Sequence, residues 1–177
     1  QTTVSQTTNG TPYTGSKFTS SGVAVFDGGF ASRRHFRRSK DAILRFEVCV
    51  NQSKPYTVIG FVKGNTTTVE LTTTNNWVGI LQEGVVFYNN DIFILSDDNN
   101  SGAASSITMW KSNVWTTGTD KFFKCEIKLK RSGGAIYTIY VDGSPTALDT
   151  YETYGNTMED MKVGVLDDNK APNQEDL

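Results

Sequence analysis

The stretch Lys121-Phe122-Phe123-Lys124-Cys125-Glu126-Ile127-Lys128-Leu129-Lys130-Arg131-Ser132-Gly133-Gly134-Ala135-Ile136-Tyr137-Thr138-Ile139-Tyr140-Val141-Asp142-Gly143 decides the fold. Its first half alternates strictly: Phe123, Cys125, Ile127 and Leu129 fall on one side, and Lys124, Glu126, Lys128 and Lys130 on the other. Side chains of a strand point to opposite faces in turn, so this is a strand with one apolar and one wet face. Ser132-Gly133-Gly134 tolerates the positive φ that a tight hairpin needs, and Asp142-Gly143 offers the same after the second run. The segment is a β-hairpin with Ile127 and Ile139 on its apolar side.

Working outward, short apolar or alternating runs recur between turn residues. They are Val23 to Phe26, Ala42 to Val50, Tyr56 to Val62, Thr67 to Leu71, Trp77 to Leu81, Val85 to Tyr88, Ile92 to Leu95, Ile107 to Trp110 and Met161 to Leu166. That spacing is typical of an antiparallel sandwich or barrel. No stretch carries apolar residues at a 3.6 period, so helix is expected to be minor. Asp27-Gly28-Gly29 is expected to be a further turn, and no internal repeat is present. A length of 177 residues suits one all-β domain, and 37% hydrophobic residues, with Phe 10, Tyr 7 and Trp 3, suffice for a core. Residues 1 to 21 are rich in Thr, Ser, Gln, Asn and Gly; the expected division is a polar lead-in over residues 1–15 and a sandwich domain over residues 16–177.

Lys+Arg 17 against Asp+Glu 19 gives a net charge of -2, which argues against a dedicated nucleic-acid binder. The longest apolar runs fall far short of the roughly 20 residues of a membrane helix, so no membrane insertion is expected. The chain opens on Gln1 without a charged-then-apolar leader, which suggests a trimmed or excised piece. Cys49 shares its strand face with Arg45 and Glu47 and points away from the core, whereas Cys125 points inward; two free thiols are expected.

The late hairpin ending in Tyr140-Val141-Asp142-Gly143 resembles one in the concanavalin A-like lectin and glucanase superfamily, including its laminin G-like and carbohydrate-binding members. Asp41 to Val50 resembles an early sheet strand of such domains, and Met161-Lys162-Val163-Gly164-Val165 their closing strand; together these cover about a third of the chain. The resemblance implies an all-β, antiparallel two-sheet jelly-roll sandwich whose curved sheet or edge loops bind sugars, sometimes with calcium, while other members bind proteins. Its β-glucan-cutting members carry Glu-x-Asp-x-x-Glu on one strand, and that motif is absent here. Glu47 and Glu126 stand alone on their strands, and Glu152, Glu159 and Asp160 are placed in an irregular segment, so a non-enzymatic domain is expected.

His35 is the only histidine, and Arg33, Arg34, Arg37 and Arg38 around it disfavour the imidazolium that a general base must become. The arginine run itself has two readings. Guanidinium groups suit sulfated or carboxylated sugar, phosphate or an acidic partner, which makes Arg33 and Arg37 candidate ligand contacts; the favoured alternative is a solvated connection between strands, its charges paired with the chain's own Asp and Glu. Ser96-Asp97-Asp98-Asn99-Asn100 and Asp167-Asp168-Asn169 are oxygen-rich and could hold calcium as a cofactor, although turn chemistry after a strand accounts for both. No Cys or His grouping suits zinc. Asn-x-Ser/Thr matches at Asn9, Asn51, Asn65 and Asn99 are expected by chance in so Ser- and Thr-rich a chain.

Aromatic rings are natural partners for sugar faces. In Ser106 to Trp110, Ile107 and Met109 alternate with Ser106, Thr108 and Trp110, which places Trp110 on the polar face as the first candidate platform. Trp115 is second, followed by Trp77, Tyr56 and Tyr140. The resulting expectation is a non-catalytic carbohydrate-binding domain, lectin-like or module-like, of a larger secreted or surface protein. Its partner is a glycan or polysaccharide. The alternative is a structural or host-attachment domain of a virus or phage particle, with protein partners in an assembly.

Overall fold

A computed structural model describes residues 17–18, 24–25, 28–50, 56–66, 81–97 and 106–168; for 17–30, 56 and 167–168 only the backbone is described. The strands are β1 (Lys17–Phe18), β2 (Ala24–Val25), β3 (Gly28–Arg37), β4 (Ile43–Val50), β5 (Tyr56–Lys63), β6 (Leu81–Tyr88), β7 (Asp91–Ser96), β8 (Ser106–Lys111), β9 (Lys121–Leu129), β10 (Ala135–Val141), β11 (Asp149–Glu152) and β12 (Asp160–Asp168). One 3-10 turn, Arg38–Lys40, follows β3.

Two antiparallel sheets form the sandwich. The four-stranded sheet runs β11-β10-β9-β4 and the six-stranded sheet β3-β12-β5-β6-β7-β8, with β1 and β2 paired apart from both. The chain passes from one sheet to the other between β3 and β4, β4 and β5, β8 and β9, and β11 and β12. The last strand thereby slots between β3 and β5, which gives the antiparallel two-sheet jelly-roll arrangement expected from the sequence.

The hairpin β9–β10 is laid out as its alternation dictates. Phe123, Cys125, Ile127 and Leu129 are buried, as are Tyr137 and Ile139 on the facing strand, and they meet Phe61, Val85, Phe87, Ile92 and Ile94 of the other sheet. The six-stranded sheet is also apolar on its far side, where Val58, Val62, Leu81, Val86, Phe93, Leu95 and Leu166 form a second buried cluster. Every residue of β6 is accordingly buried. At the β9–β10 turn Gly133 and Gly134 take φ of 108° and 71°. Gly134 has a second constraint: a Cβ there would stand 2.0 Å from the Thr153 carbonyl oxygen, so only glycine lets the 153–156 segment lie against this turn.

Four expectations are corrected. Gly28 to Arg37 is strand β3, so Gly28 and Gly29 lie in a strand and not in the expected turn, whose Asp27 is outside the described residues, and the arginine run is not a connection. A strand with few apolar residues at a sheet edge leaves little pattern to read. Asp149–Glu152 is a short edge strand, and Asp160 opens β12. Asp167 and Asp168 still belong to β12, so they do not form a loop. The expected run at Thr67 to Leu71 lies outside the described residues, as does the expected run Trp77 to Leu81 up to its last member, which opens β6, and the proposed lead-in over residues 1–15.

Cys49 and Cys125 are both free, the first half-buried and the second fully buried. Burial pushes both thiols upward, and Asp120 adds to the shift at Cys49. Titration of denatured, unreduced protein is expected to find two reactive thiols, and finding none would reveal a bridge. Ile127 and Ile139 have no exposed surface. Replacing either by Ala is expected to cost about 2–4 kcal/mol in urea denaturation, through lost burial and a residual cavity; a change under about 0.5 kcal/mol, usual for surface sites, would contradict the packing.

Candidate functional site

The two sheets end side by side at one margin of the sandwich, where β8 is the outer strand of one and β11 of the other. Between them lies a cleft of about 340 Å³. One wall is Ile94 and Ser96 of β7 with Ser106 and Thr108 of β8, and the other is Tyr151 to Gly155. Register explains the first wall: Ile94 pairs with Thr108 and Ser96 with Ser106, so these four side chains share the face that looks toward the other sheet. Deeper inside, that face carries the core; at the margin it carries hydroxyls. Ile107 turns the other way onto the second apolar cluster, and Met109 is 56% exposed.

Beneath the cleft sits a buried polar network. Glu83, on the inner face of β6, has no exposed surface. Its Oε2 accepts from the Tyr137 hydroxyl at 2.7 Å and from Thr153 Oγ1 at 2.9 Å. Thr153 Oγ1 in turn accepts from the Ala135 N–H at 2.8 Å. Ser96 is the cross-strand neighbour of Glu83. The two amide atoms of Gln82 meet no hydrogen-bonding partner. Desolvation raises Glu83 to about 7, against the hydrogen bonds of Tyr137, Thr153 and Ser96 and the charge of Arg38, which pull the other way.

Arg38 is the buried member of the arginine run. Its Nε donates to the Met158 carbonyl at 3.1 Å, and a terminal nitrogen to the carbonyls of Lys130, at 2.8 Å, and Gly134. Asn156 donates to the Gln82 carbonyl at 2.8 Å and accepts from the Met158 N–H at 2.9 Å. Residues 153–158 are thus tied to both sheets, which fixes one wall of the cleft. At the rim, Lys130 Nζ is 2.7 Å from Glu152 and 3.7 Å from the centre of the Tyr154 ring. Tyr154 is 65% exposed. Lys130 holds the Glu152 carboxyl below its ordinary range.

The expected aromatic platform is corrected at its first two members. Trp110 shares a face with Ser106 and Thr108 as expected, but that face looks between the sheets and not into solvent. Its indole is 9% exposed, lies against Tyr137 and Tyr151, and donates to Asp149 at 3.0 Å. Trp115 is 6% exposed and packs on Phe87 and Phe123. Tyr140 is half-buried on the outer face of the four-stranded sheet beneath Lys124. Trp77 lies outside the described residues, and Tyr56 is described only as the first backbone position of β5. Arg33 and Arg37 are exposed on β3, at the opposite margin from the cleft. Of the described ones, Trp110, Trp115, Tyr140, Arg33 and Arg37 do not come together at one site. Those that do, Ser96, Ser106, Thr108, Tyr151, Thr153 and Tyr154, escaped the sequence reading, although the polar side of Ser106 to Trp110 pointed at two of them.

His35 meets the Asp160 carboxylate at 2.9 Å, so its surroundings are not wholly cationic. Asp97 is fully buried, and Asp98 to Asn100 lie outside the described residues. Among the described residues no group of three or more His, Cys, Asp or Glu could hold a metal ion, and no helix is long and apolar enough to cross a membrane.

No family model matches the sequence, and no curated protein does. Among solved structures, sheep galectin-11 in complex with glycerol is similar at 8% identity and a TM-score of 0.39, over 72% of this chain and 92% of that one. A likeness of that size carries no argument. What fold and cleft define is a class: an antiparallel two-sheet sandwich with a hydroxyl-lined cleft at one open margin and a buried carboxyl beneath it.

The shift at Glu83 has a definite sign. Its ordinary value is 4.5 and its folded value about 7, so between these the folded chain holds the extra proton. Its contribution to stability is therefore full below pH 4.5, falls as pH rises, and levels off above about 7. Glu83→Gln is expected to flatten this part of the profile in urea midpoints measured across it; an unaltered slope would place the titration elsewhere.

Proposed function

We propose that this domain binds a neutral saccharide in the cleft between β8 and β11 and performs no chemistry on it. The observation that carries the reading is the pairing of a hydroxyl-rich wall with an exposed ring: Ser106, Thr108, Thr153 and Tyr151 line the cleft, and Tyr154 stands at its rim. Sugars present hydroxyls that donate and accept at once, together with apolar C–H faces that rest on aromatic rings. Ser96, at the deep end of the lining, adds a further hydroxyl that can donate and accept. The volume, near the lower limit of small-molecule sites of about 300–1,000 Å³, suits a terminal sugar and not the middle of a long polymer.

Neutral sugar is favoured because the only ionised group on the lining, Glu152, is already offset by Lys130. Binding without catalysis is favoured because Glu83 does not line the cleft and its Oε2 is engaged by Tyr137 and Thr153. General acid catalysis needs a carboxyl within reach of the bond that breaks. A recognition domain of this kind acts where glycans are displayed, so we place it on an extracellular, cell-surface or virion protein.

A glycan array, run with and without chelator, is expected to select neutral terminal sugars and to be indifferent to chelation. With the selected sugar, Tyr154→Ala and Thr108→Val are each expected to weaken binding about tenfold in calorimetry, the equivalent of one good contact of about 1.4 kcal/mol. Tyr140→Ala is expected to leave affinity unchanged. Cleft variants that bind like the parent, or loss of binding in Tyr140→Ala, would sink the proposal.

A further inference from the structure

The opposite margin of the six-stranded sheet is of a different kind. Its outer strand is β3, with Arg33, Arg34, His35 and Arg37 exposed along it. Five strand spacings of about 4.8 Å separate it from β8, so it stands about 24 Å from the cleft. His35 pairs with Asp160, and Arg34 lies over the Phe36 ring at 5.6 Å. Arg33, Arg34 and Arg37 form no ion pair among the described residues, although Asp160 stands opposite Arg37 on β12 and the charge of Arg37 helps to lower Glu159. The two exposed arginines elsewhere do: Arg45 meets Glu126 at 2.6 Å and Arg131 meets Asp41 at 2.5 Å. A chain with more acidic than basic residues thus leaves three guanidinium groups within five successive positions of one strand without an ion pair among the described residues, Arg33 and Arg34 the most open of them.

The backbone of β3 decides what kind of partner suits it. Opposite Lys162 and Gly164 of β12, which are two apart, stand His35 and Ala31, which are four apart, so β3 bulges between them. Ser32 fixes the bulge by accepting from the Val163 N–H at 3.0 Å and donating to the Arg34 carbonyl at 2.8 Å. A bulged edge does not offer the continuous row of backbone groups that an added peptide strand requires. Recognition here must run through side chains, and planar guanidinium forks match the oxygens of sulfate or carboxylate groups. We infer that β3 is a second binding site, for a linear sulfated polysaccharide that lies along Arg33, Arg34 and Arg37. The overall charge of -2 does not oppose this, because salt confines each charge's influence to about 8–10 Å.

The test uses the whole chain with dextran sulfate, unsulfated dextran and poly-glutamate as probes, at low and at physiological salt. The parent is expected to bind dextran sulfate, to ignore dextran, and to bind poly-glutamate at least tenfold more weakly. Arg33→Gln/Arg34→Gln/Arg37→Gln is expected to lose at least tenfold in dextran sulfate affinity and to lower the log–log salt slope by about 2–3, one unit or slightly less for each lost contact. Arg45→Gln/Arg131→Gln removes as many surface arginines from paired positions, less one, and is expected to bind within twofold of the parent. Thr108→Val, in the cleft, is also expected to bind as the parent does, which keeps this site distinct from the saccharide cleft. Should the triple variant unfold by circular dichroism, the single Arg37→Gln variant is expected to show at least a twofold loss. Unchanged binding in the arginine variants, an equal loss in Arg45→Gln/Arg131→Gln, or poly-glutamate binding as tight as dextran sulfate would overturn the inference.

Discussion

The two sheets are joined at their polar centre by one carboxyl. Tyr137 reaches from β10 across the sandwich to Glu83 on β6, and Thr153 reaches the same oxygen from the segment after β11. A hydrophobic interface holds sheets together without specifying much about their relative position. A buried carboxyl is costly to desolvate and tolerable only in the arrangement that satisfies it. Slippage of one sheet over the other would strand Glu83, Tyr137 and Thr153 together. Arg38 extends the constraint to the 130–134 turn and to Met158, and Asn156 ties the same loop to β6. The wall of the cleft is rigid because it is the far end of this network.

Sandwiches have open edges, and this one treats its two margins differently. At β8 and β11 the inward face changes from apolar to hydroxylated, so the gap between sheets becomes a polar cleft and not a seam of exposed core. At β3 a bulge and a set of arginines mark the edge. Charges and bulges on an edge strand also hinder pairing with another chain's strand, so the arginines proposed to meet a polyanion would at the same time oppose edge-to-edge pairing through the backbone. Arg38, next in sequence, is pulled inward to a structural post, which separates the two roles within one short run.

Sequence disclosed the fold where one strand face is dry and the other wet. The two faces of β9 could be read residue by residue because Lys124, Glu126 and Lys128 mark the solvent side between buried neighbours. The same logic misplaced Trp110. Alternation tells which side chains share a face, not whether that face meets water, and at β8 the polar face is the inner one. β3 and β11 were not foreseen because edge strands with mixed faces carry little periodic signal. Glu83 gave no sign at all: a Glu between Gln82 and Gly84 is ordinary in sequence, and only the arrival of Tyr137, 54 positions later, and Thr153, 70 positions later, makes it a centre. The hydroxyl cleft likewise assembles residues from β7, β8 and the end of β11 that no local pattern connects.

The central claim is that a saccharide occupies the cleft over this network. Amide chemical-shift mapping during titration with the sugar that an array selects tests it most directly. The account predicts shifts confined to Ser96, Ser106, Thr108 and Tyr151 to Gly155, with a smaller response at Glu83 as its partner Thr153 is drawn upon. Shifts centred instead on Lys124 and Tyr140, on the outer face of the four-stranded sheet, would contradict it.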